Sequence, residues 1–197
     1  MAPILLGEKL AIKGSWDNKA APDGRLEIKL IPQKERFAFG NAYKSSTRLV
    51  LSELETHVKL NNGFRILDIG TGVGVLAIAA KKLNPRAIVT AIEPLDVGIY
   101  YASQNFILND TDIPLLKGWY PNDFQLNPLP EQDLIIANVD TLEPLSAAMN
   151  KHLAPKIIAF PKVSDLDIVN TIAEIRGYRL SRNINDIKFE YLVLEAI

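Results

Sequence analysis

The feature that most constrains the fold of this chain is a glycine-rich loop between a short apolar strand and a helix of small residues. The run Phe64 to Ile69 is apolar enough for a buried strand, and glycines follow at positions 70, 72 and 74. Val75 to Leu83 then favours a helix, which Asn84-Pro85 ends. A strand, a glycine turn and a helix in this order begin a βαβ unit. We therefore predict an α/β fold with a ligand site at this loop.

Strands and helices continue to alternate after the loop. Further strands are predicted at Ala87 to Ile92, Pro114 to Lys117, Asp133 to Val139 and Ile157 to Phe160, and helices at Asp96 to Leu108, Glu143 to Leu153 and Asp165 to Arg176. Two last strands, Tyr178 to Ile184 and Lys188 to Leu194, are joined by a turn at Asn185-Asp186. The order predicts a Rossmann-like, doubly wound, mostly parallel seven-stranded sheet with an antiparallel C-terminal hairpin.

The N-terminal residues are predicted to form an extension. Lys9 to Lys13 and Arg25 to Ile31 alternate apolar and polar residues, and the segment between them holds Gly14, Pro22 and Gly24. This pattern predicts a β-hairpin. From Ser46 the apolar spacing becomes helical. We therefore divide the chain into a β-hairpin extension, residues 1–36, and an α/β domain, residues 37–197.

Composition argues against several classes of protein. The chain has 22 basic and 23 acidic side chains, so it lacks the broad positive field of a dedicated nucleic-acid binder. It has no cysteine, which rules out disulfides and thiolate metal sites, and its two histidines, His57 and His152, fall in separate predicted helices. We therefore predict no metal site. No apolar run approaches the ~20 residues of a membrane span, so we expect a cytoplasmic protein.

The spacing of the glycines separates two classes of cofactor. Dinucleotide sites use G-x-G-x-x-G, whereas here the third glycine comes one residue early and Asp68 stands before the loop. A carboxylate 4 Å from a pyrophosphate charge would be repelled by about 4 kcal/mol at an effective dielectric of 20. S-adenosylmethionine has no phosphate and carries a positive amino group and a sulfonium, so Asp68 favours this cofactor. Glu93, at the end of the second strand, is placed to accept hydrogen bonds from ribose hydroxyls of either cofactor.

Three motifs stand in order along the chain: Phe39-Gly40 with Ser46-Thr47-Arg48, the run FRILDIGTGVGVLAIAA from Phe64 to Ala80, and DLIIAN from Asp133 to Asn138 with Pro144-Leu145. Together these motifs resemble those of the PrmA family of class I methyltransferases, bacterial enzymes that methylate amino groups of ribosomal protein L11. The run from Phe64 resembles the family's first motif. The leading segment from Gly7 through Trp16 to Leu30 also resembles the stretch before the family's catalytic core.

The resemblance implies S-adenosylmethionine as cofactor, S-adenosylhomocysteine as product, and cofactor contacts from four positions: Thr47, Gly70, Glu93 and Asn138. Asp68, Gly72 and Gly74 complete the set of candidate cofactor-binding residues. An amine acceptor must lose a proton, since a lysine with a reference pKa near 10.4 is charged at neutral pH.

Two residues are candidates for handling the acceptor amine. The Asn138 carbonyl could accept an N–H of the amine and aim its lone pair at the methyl carbon, and Asp140 could attract a cationic acceptor and relay its proton. Each residue also has a structural alternative, which is a strand-end hydrogen bond for Asn138 and a helix N-cap for Asp140.

Differences between this sequence and the family's motifs leave the identity of the methyl acceptor undetermined. Glu93 replaces the family's usual aspartate, Lys44 stands where the family has a histidine, and Val139-Asp140-Thr141 replaces apolar residues. The family's N-terminal domain, which holds the ribosomal protein, has no counterpart in this sequence, so we expect acceptor recognition by the chain's own loops. These are the leading hairpin, Asn41 to Ser45, Trp119 to Phe124 and Asp140 to Glu143.

Four functions remain after this comparison. The first is N-methylation of an amino group on a protein or peptide, and the second is O- or N-methylation of a small metabolite or natural product. The third, from a different class, is a non-catalytic S-adenosylmethionine-binding partner subunit. The fourth, a nicotinamide oxidoreductase, is disfavoured by the glycine spacing and by Asp68.

Overall fold

The computed structural model describes residues 3–21, 24–32, 45–125, 128–139, 142–150, 153–159, 166–186 and 189–197. The strands within these residues are β1 Ile4–Leu6, β2 Leu10–Gly14, β3 Leu26–Leu30, β4 Arg65–Ile69, β5 Ile88–Glu93, β6 Leu115–Lys117, β7 Leu134–Ala137, β8 Lys156–Ala159, β9 Tyr178–Asp186 and β10 Phe189–Ala196. The helices are α1 Ser45–His57, α2 Val75–Leu83, α3 Asp96–Leu108, α4 Leu142–Ala148 and α5 Leu166–Ile175. None of the helices in this part of the chain has the length and hydrophobicity needed to cross a bilayer.

The main sheet has seven strands in the order β6-β5-β4-β7-β8-β10-β9. Strands β4 to β8 run parallel, and β10 lies antiparallel to both β8 and β9. The central strands β4 and β7 are almost wholly buried because helices cover both faces of such a sheet, and they are apolar except for Arg65 and Asp68 of β4. The predicted α/β fold and its antiparallel C-terminal hairpin are confirmed.

The strand order reverses direction at β4. The chain moves from β4 to β5 and β6 on one side, and later returns to β7 and β8 on the other side. Ligands of open α/β sheets bind outside the carboxyl ends of the strands at such a switch point. The residues that follow β4, β5 and β7 therefore meet at one crevice.

The N-terminal strands form a three-stranded sheet whose pairing differs from the prediction. β2 and β3 run parallel, with Leu10 opposite Leu26, and the hairpin lies instead between β1 and β2. The predicted hairpin between residues 9–13 and 25–31 is therefore wrong in its pairing. Long-range bonds stabilise the observed pairing: the Arg25 guanidinium donates to the carbonyls of Leu6, Gly7 and Leu10 at 3.2, 2.8 and 3.3 Å, which links the start of β3 to the end of β1 and the start of β2.

This small sheet packs onto the helices of the main fold. Leu10 and Ile28 belong to the same buried cluster as Leu54 of α1 and Ile78 of α2. The carboxylate of Glu55 in α1 also accepts the amide N–H groups of residues 8, 9 and 10 at 2.8 to 3.1 Å. The extension therefore shares one hydrophobic core with the helix that precedes the glycine loop.

Candidate functional site

A cavity of about 300 Å³ lies at the carboxyl ends of β4, β5 and β7. This volume is at the lower end of the range, about 300–1,000 Å³, that small-molecule sites occupy. Its wall includes residues from the loops after each of these strands and from the loop after β6: Gly70, Glu93, Leu95, Trp119, Tyr120 and Asn138. Three of the residues predicted from sequence, Gly70, Glu93 and Asn138, are thus brought together by the fold.

The glycine loop owes its path to backbone conformations that side chains resist. Gly70, Gly72 and Gly74 have φ angles of 70°, 58° and 82°, in the left-handed region that favours glycine. A Cβ on Gly74 would also lie 2.5 Å from Cε1 of Phe106. A Cβ on Gly70 would lie 3.2 Å from Cγ1 of Val139, next to Asn138. The loop therefore passes close to both β7 and α3, and brings bare backbone to the edge of the cavity.

Glu93 is held by two backbone amides at the end of β5. Its Oε2 accepts the N–H of Gly72 at 2.9 Å, and its Oε1 accepts the N–H of Leu95 at 3.0 Å. The side chain is buried, and burial raises the pKa of its carboxyl. Each carboxylate oxygen has two lone pairs, so one on each oxygen stays available to a ligand.

Asp68 lies beneath the glycine loop rather than in the cavity wall. Its Oδ2 accepts the hydroxyl of Thr71 at 2.6 Å, whereas its Oδ1 is buried without a hydrogen-bond partner among the described residues. Burial raises the pKa of Asp68 to about 7; the hydrogen bonds from the Thr71 hydroxyl and from the Ala77 backbone oppose this shift, and the nearby charge of Glu93 adds to it. The loop thus covers a carboxyl that has unused hydrogen-bonding capacity.

The other predicted site residues have varied positions. Thr47 lies in the first turn of α1, fully buried, and its Oγ1 also lacks a partner among the described residues. Asn138 directly follows β7 and is half-buried at the cavity. Asp140 lies outside the described residues, as do Lys44 and His152.

An aromatic loop after β6 forms one wall of the cavity. The Trp119 amide donates to Oδ2 of Asp123 at 2.7 Å, and the Asp123 amide donates back to the Trp119 carbonyl at 2.9 Å. The rings of Tyr120 and Phe124 pack with their centroids 6.2 Å apart. Trp119 is 59% exposed although it borders the cavity, so its ring is accessible from solvent.

Two supporting residues escaped the sequence analysis. Gly98 in α3 leaves the space that the Glu93 side chain occupies, and Asn105 donates to the Val73 carbonyl of the glycine loop at 2.9 Å. The role of neither residue can be predicted from the neighbouring sequence, since the role of a glycine or an asparagine inside a helix depends on its contacts with residues distant in the chain. The spacing of Asn105 and Asn109 by four residues, which places both amides on one helix face, was the available hint.

The family model described as ribosomal protein L11 methyltransferase (PrmA) matches residues 1–165. The chain belongs to this family. The ribosomal protein L11 methyltransferase of Acetivibrio thermocellus is 33% identical over 138 residues, which are 70% of this chain and 41% of that protein. The PrmA family predicted from the motifs is thus confirmed, and the chain spans less than half the length of this relative.

Solved structures agree with the PrmA assignment. A crystal structure of ribosomal protein L11 methylase from Lactobacillus delbrueckii subsp. bulgaricus is 25% identical and superposes with a TM-score of 0.80, covering 100% of this chain and 99% of the other. A precorrin-6y C5,15-methyltransferase from Geobacter metallireducens is 18% identical with a TM-score of 0.60, covering 75% of this chain and 87% of the other. The second likeness concerns the fold alone, which is that of class I methyltransferases.

Proposed function

We propose that this chain binds S-adenosylmethionine in the cavity beside the glycine loop and transfers its methyl group to an amino group of ribosomal protein L11. The observation that carries this proposal is the pair of buried carboxylates, Asp68 and Glu93, on either side of the glycine loop in a member of the PrmA family. Loss of either carboxylate is therefore expected to weaken cofactor binding.

The charge of the site suits a cationic ligand. Asp68 and Glu93 are both buried, and none of the described residues that line the cavity is lysine or arginine. A buried polar atom without a partner, such as Oδ1 of Asp68, is costly, so a positive amino group that reached it directly or through water would be stabilised. A pyrophosphate would instead add negative charge next to two carboxylates. The residues present therefore fit S-adenosylmethionine better than a dinucleotide.

The residues of the cavity wall would bind different parts of the cofactor or the acceptor. Glu93 would accept the ribose hydroxyls with its free lone pairs, and the flat rings of Trp119 and Tyr120 suit a planar adenine or the incoming acceptor. The bare backbone of Gly70 and the Asn138 amide border the opposite part of the wall. We assign Gly72 and Gly74 to the same cofactor site because both are buried within the glycine loop, and we assign Thr47 to it because this residue matches a family motif.

The chain's task in the reaction is positioning. The bound cofactor would supply a methyl group that is already activated for attack. Asn138 would hold the neutral amine through its side-chain carbonyl, and correct placement of a nucleophile contributes about 7–11 kcal/mol to a reaction. We keep Asp140 as the group that attracts the cationic acceptor and takes its proton.

Ribosomal protein L11 is proposed as acceptor because the chain belongs to the PrmA family. The exposed ring of Trp119 beside the cavity offers an acceptor a contact surface, and aromatic faces attract ammonium groups. We further propose that residues 1–36 assist recognition, that residues 37–197 form the catalytic domain, and that the protein works in the cytoplasm.

The first test is cofactor binding by isothermal titration. We expect S-adenosylmethionine and S-adenosylhomocysteine to bind, NADH not to bind, and both Asp68→Asn and Glu93→Ala to weaken affinity at least tenfold. Gln104→Ala, on the exposed face of α3, is the matched control and should bind as the unaltered protein does. Unchanged affinity in both site variants would show that the site has been misplaced.

The second test identifies the acceptor. The purified protein is incubated with methyl-labelled S-adenosylmethionine and either ribosomal protein L11 or a lysate of the source organism. Label in ribosomal protein L11 supports the proposal. Label only in small molecules would assign the chain to metabolite methylation, and cofactor binding without any transfer would make it a non-catalytic subunit.

A further inference from the structure

We propose that Gly98 is a positioning residue for the cofactor site: the absence of a side chain at Gly98 lets the Glu93 carboxylate lie where it can hold the ribose. This inference rests on the proposed function in one respect only, the identity of the ligand that Glu93 holds. The contact between Gly98 and Glu93 is a property of the chain itself.

The space beside Gly98 is filled by Glu93. A Cβ built on Gly98 would lie 2.6 Å from Cδ, 2.6 Å from Cγ and 2.8 Å from Oε1 of Glu93, and these are its three nearest atoms. Non-bonded carbon atoms prefer separations of about 3.5–4.0 Å. Any side chain at Gly98 would therefore overlap Glu93 by about 1 Å.

The backbone gives no other reason for a glycine here. Gly98 lies in the first turn of α3 and is not among the glycines with positive φ. Glycine in a helix is less favourable than alanine, because it loses more conformational freedom on folding. Gly98 therefore makes the helix less stable than alanine would at this position, and its contact with Glu93 explains why a glycine is present.

Glu93 cannot move aside without losing its own bonds. Both of its oxygens accept backbone N–H groups, from Gly72 in the glycine loop and from Leu95 at the start of α3. The side chain is only 5% exposed, so solvent offers no alternative position. A displaced carboxylate would release the glycine loop, the beginning of α3, or both, at the place where the ribose is expected to bind.

The length of the glutamate side chain explains why the space is needed. Its Cγ and Cδ are the two atoms nearest to the missing Cβ, and both must fit between β5 and α3 before the carboxylate reaches Gly72. Gly98 and Glu93 therefore act as a pair: the glycine on the helix accommodates the long acid on the strand.

A double-mutant cycle tests this pair with two readouts, the melting temperature without ligand and the Kd for S-adenosylmethionine. The variants are Gly98→Ala, Glu93→Ala and the double variant, with Gln104→Ala as a control on the same helix. We expect Gly98→Ala to weaken binding at least tenfold in the unaltered background. In the Glu93→Ala background, Gly98→Ala should change Kd less than twofold. It should also raise the melting temperature, because its Cβ no longer overlaps the Glu93 side chain and alanine favours the helix over glycine.

Two results would overturn the inference. One is a Gly98→Ala variant that binds within twofold of the unaltered protein. The other is an equal change of melting temperature in both backgrounds, which would show that Gly98 acts without Glu93. Failure of the proposed function is distinguishable, since the unaltered protein would then not bind S-adenosylmethionine while the melting temperatures still reported on the contact.

Discussion

The Thr71 hydroxyl donates a 2.6 Å hydrogen bond to Oδ2 of Asp68, and this bond ties the glycine loop to the strand beneath it. Both side chains are buried, and the other oxygen of Asp68 has no partner among the described residues. The carboxyl is therefore held in place by neutral donors, the Thr71 hydroxyl and the Ala77 backbone, while it remains poorly solvated. Its charge state should control both the stability of the ligand-free protein and the attraction of a cationic cofactor.

Stability of the ligand-free protein should depend on pH through Asp68. Burial raises the pKa of this carboxyl from 3.8 to about 7 in the folded state, so the folded protein binds more protons than the unfolded chain between those values. The contribution of Asp68 to the free energy of unfolding is then largest below pH 4, falls as pH rises, and levels off above about 7. Asp68→Asn lacks this titration. As pH rises from 5 to 8, we therefore expect the free energy of unfolding of the variant to increase relative to that of the unaltered protein, by an amount on the order of 2–3 kcal/mol. Denaturant unfolding at each pH measures this, and parallel curves for the two proteins would contradict it.

Affinity for S-adenosylmethionine should rise with pH over the same titration. A cationic ligand favours the ionised form of Asp68, so binding lowers the pKa of this carboxyl and proceeds with proton release below about pH 7. We expect Kd to fall by about fivefold from pH 6 to 7, by about tenfold in all from pH 6 to 8, and to change little above pH 8. Isothermal titration in two buffers of different ionisation enthalpy measures the released proton. The Asp68→Asn variant is the control, and the same pH dependence in that variant would assign the effect to another group.

Loss of the Asn138 amide should reduce turnover more than cofactor binding. Asn138 borders the cavity directly after β7, next to Val139, whereas the buried carboxylates that we propose to hold the cofactor belong to β4 and β5. We expect Asn138→Ala to lower kcat by about 10- to 100-fold, the scale of a misplaced nucleophile, with Kd for S-adenosylmethionine within threefold. Steady-state kinetics with ribosomal protein L11 and a parallel titration separate the two effects. Equal losses in kcat and in affinity would make Asn138 a cofactor-binding residue instead.

The elements around the glycine loop could be predicted because their signals are local. The predicted bounds of α2 and α3 agree with the structure, since Gly74 and Asn84-Pro85 limit one helix and the apolar spacing defines the other. The positions of Glu93 and Asn138 could be predicted from the topology, because Glu93 ends β5, Asn138 follows β7, and the carboxyl ends of these parallel strands meet at the same edge.

Features that depend on distant partners could not be predicted. The parallel pairing of β2 and β3 is accompanied by bonds from the Arg25 side chain to the carbonyls of residues 6, 7 and 10, which local alternation of residues cannot reveal. Helix α4 ends at Ala148, before the predicted Leu153, where the Asn150 amide turns back to the Ala148 carbonyl at 2.7 Å. The contact of Gly98 with Glu93 is likewise invisible until β5 and α3 are packed together.

Asn105 in α3 and Asn109 directly after it hold the outer edge of β3 as a neighbouring strand would. Asn109 accepts the Lys29 amide at 2.9 Å and donates to the Lys29 carbonyl at 2.6 Å. Asn105 accepts the Ile31 amide at 2.9 Å, and its other end donates to Val73 in the glycine loop at 2.9 Å. Of these two side chains, only that of Asn105 connects the N-terminal sheet to the glycine loop.

This difference predicts that Asn105→Ala and Asn109→Ala separate stability from binding. Each variant removes hydrogen bonds to buried or half-buried backbone groups, so each should lower the free energy of unfolding by about 1–3 kcal/mol. Asn105→Ala should also weaken S-adenosylmethionine binding by severalfold, because the Val73 carbonyl loses its anchor and the glycine loop is less well ordered. Asn109→Ala, which touches the same strand but not the loop, should leave Kd unchanged. Denaturant unfolding and isothermal titration on both variants test this, and a similar loss of affinity in both would mean that the N-terminal sheet as a whole, rather than Asn105, fixes the loop.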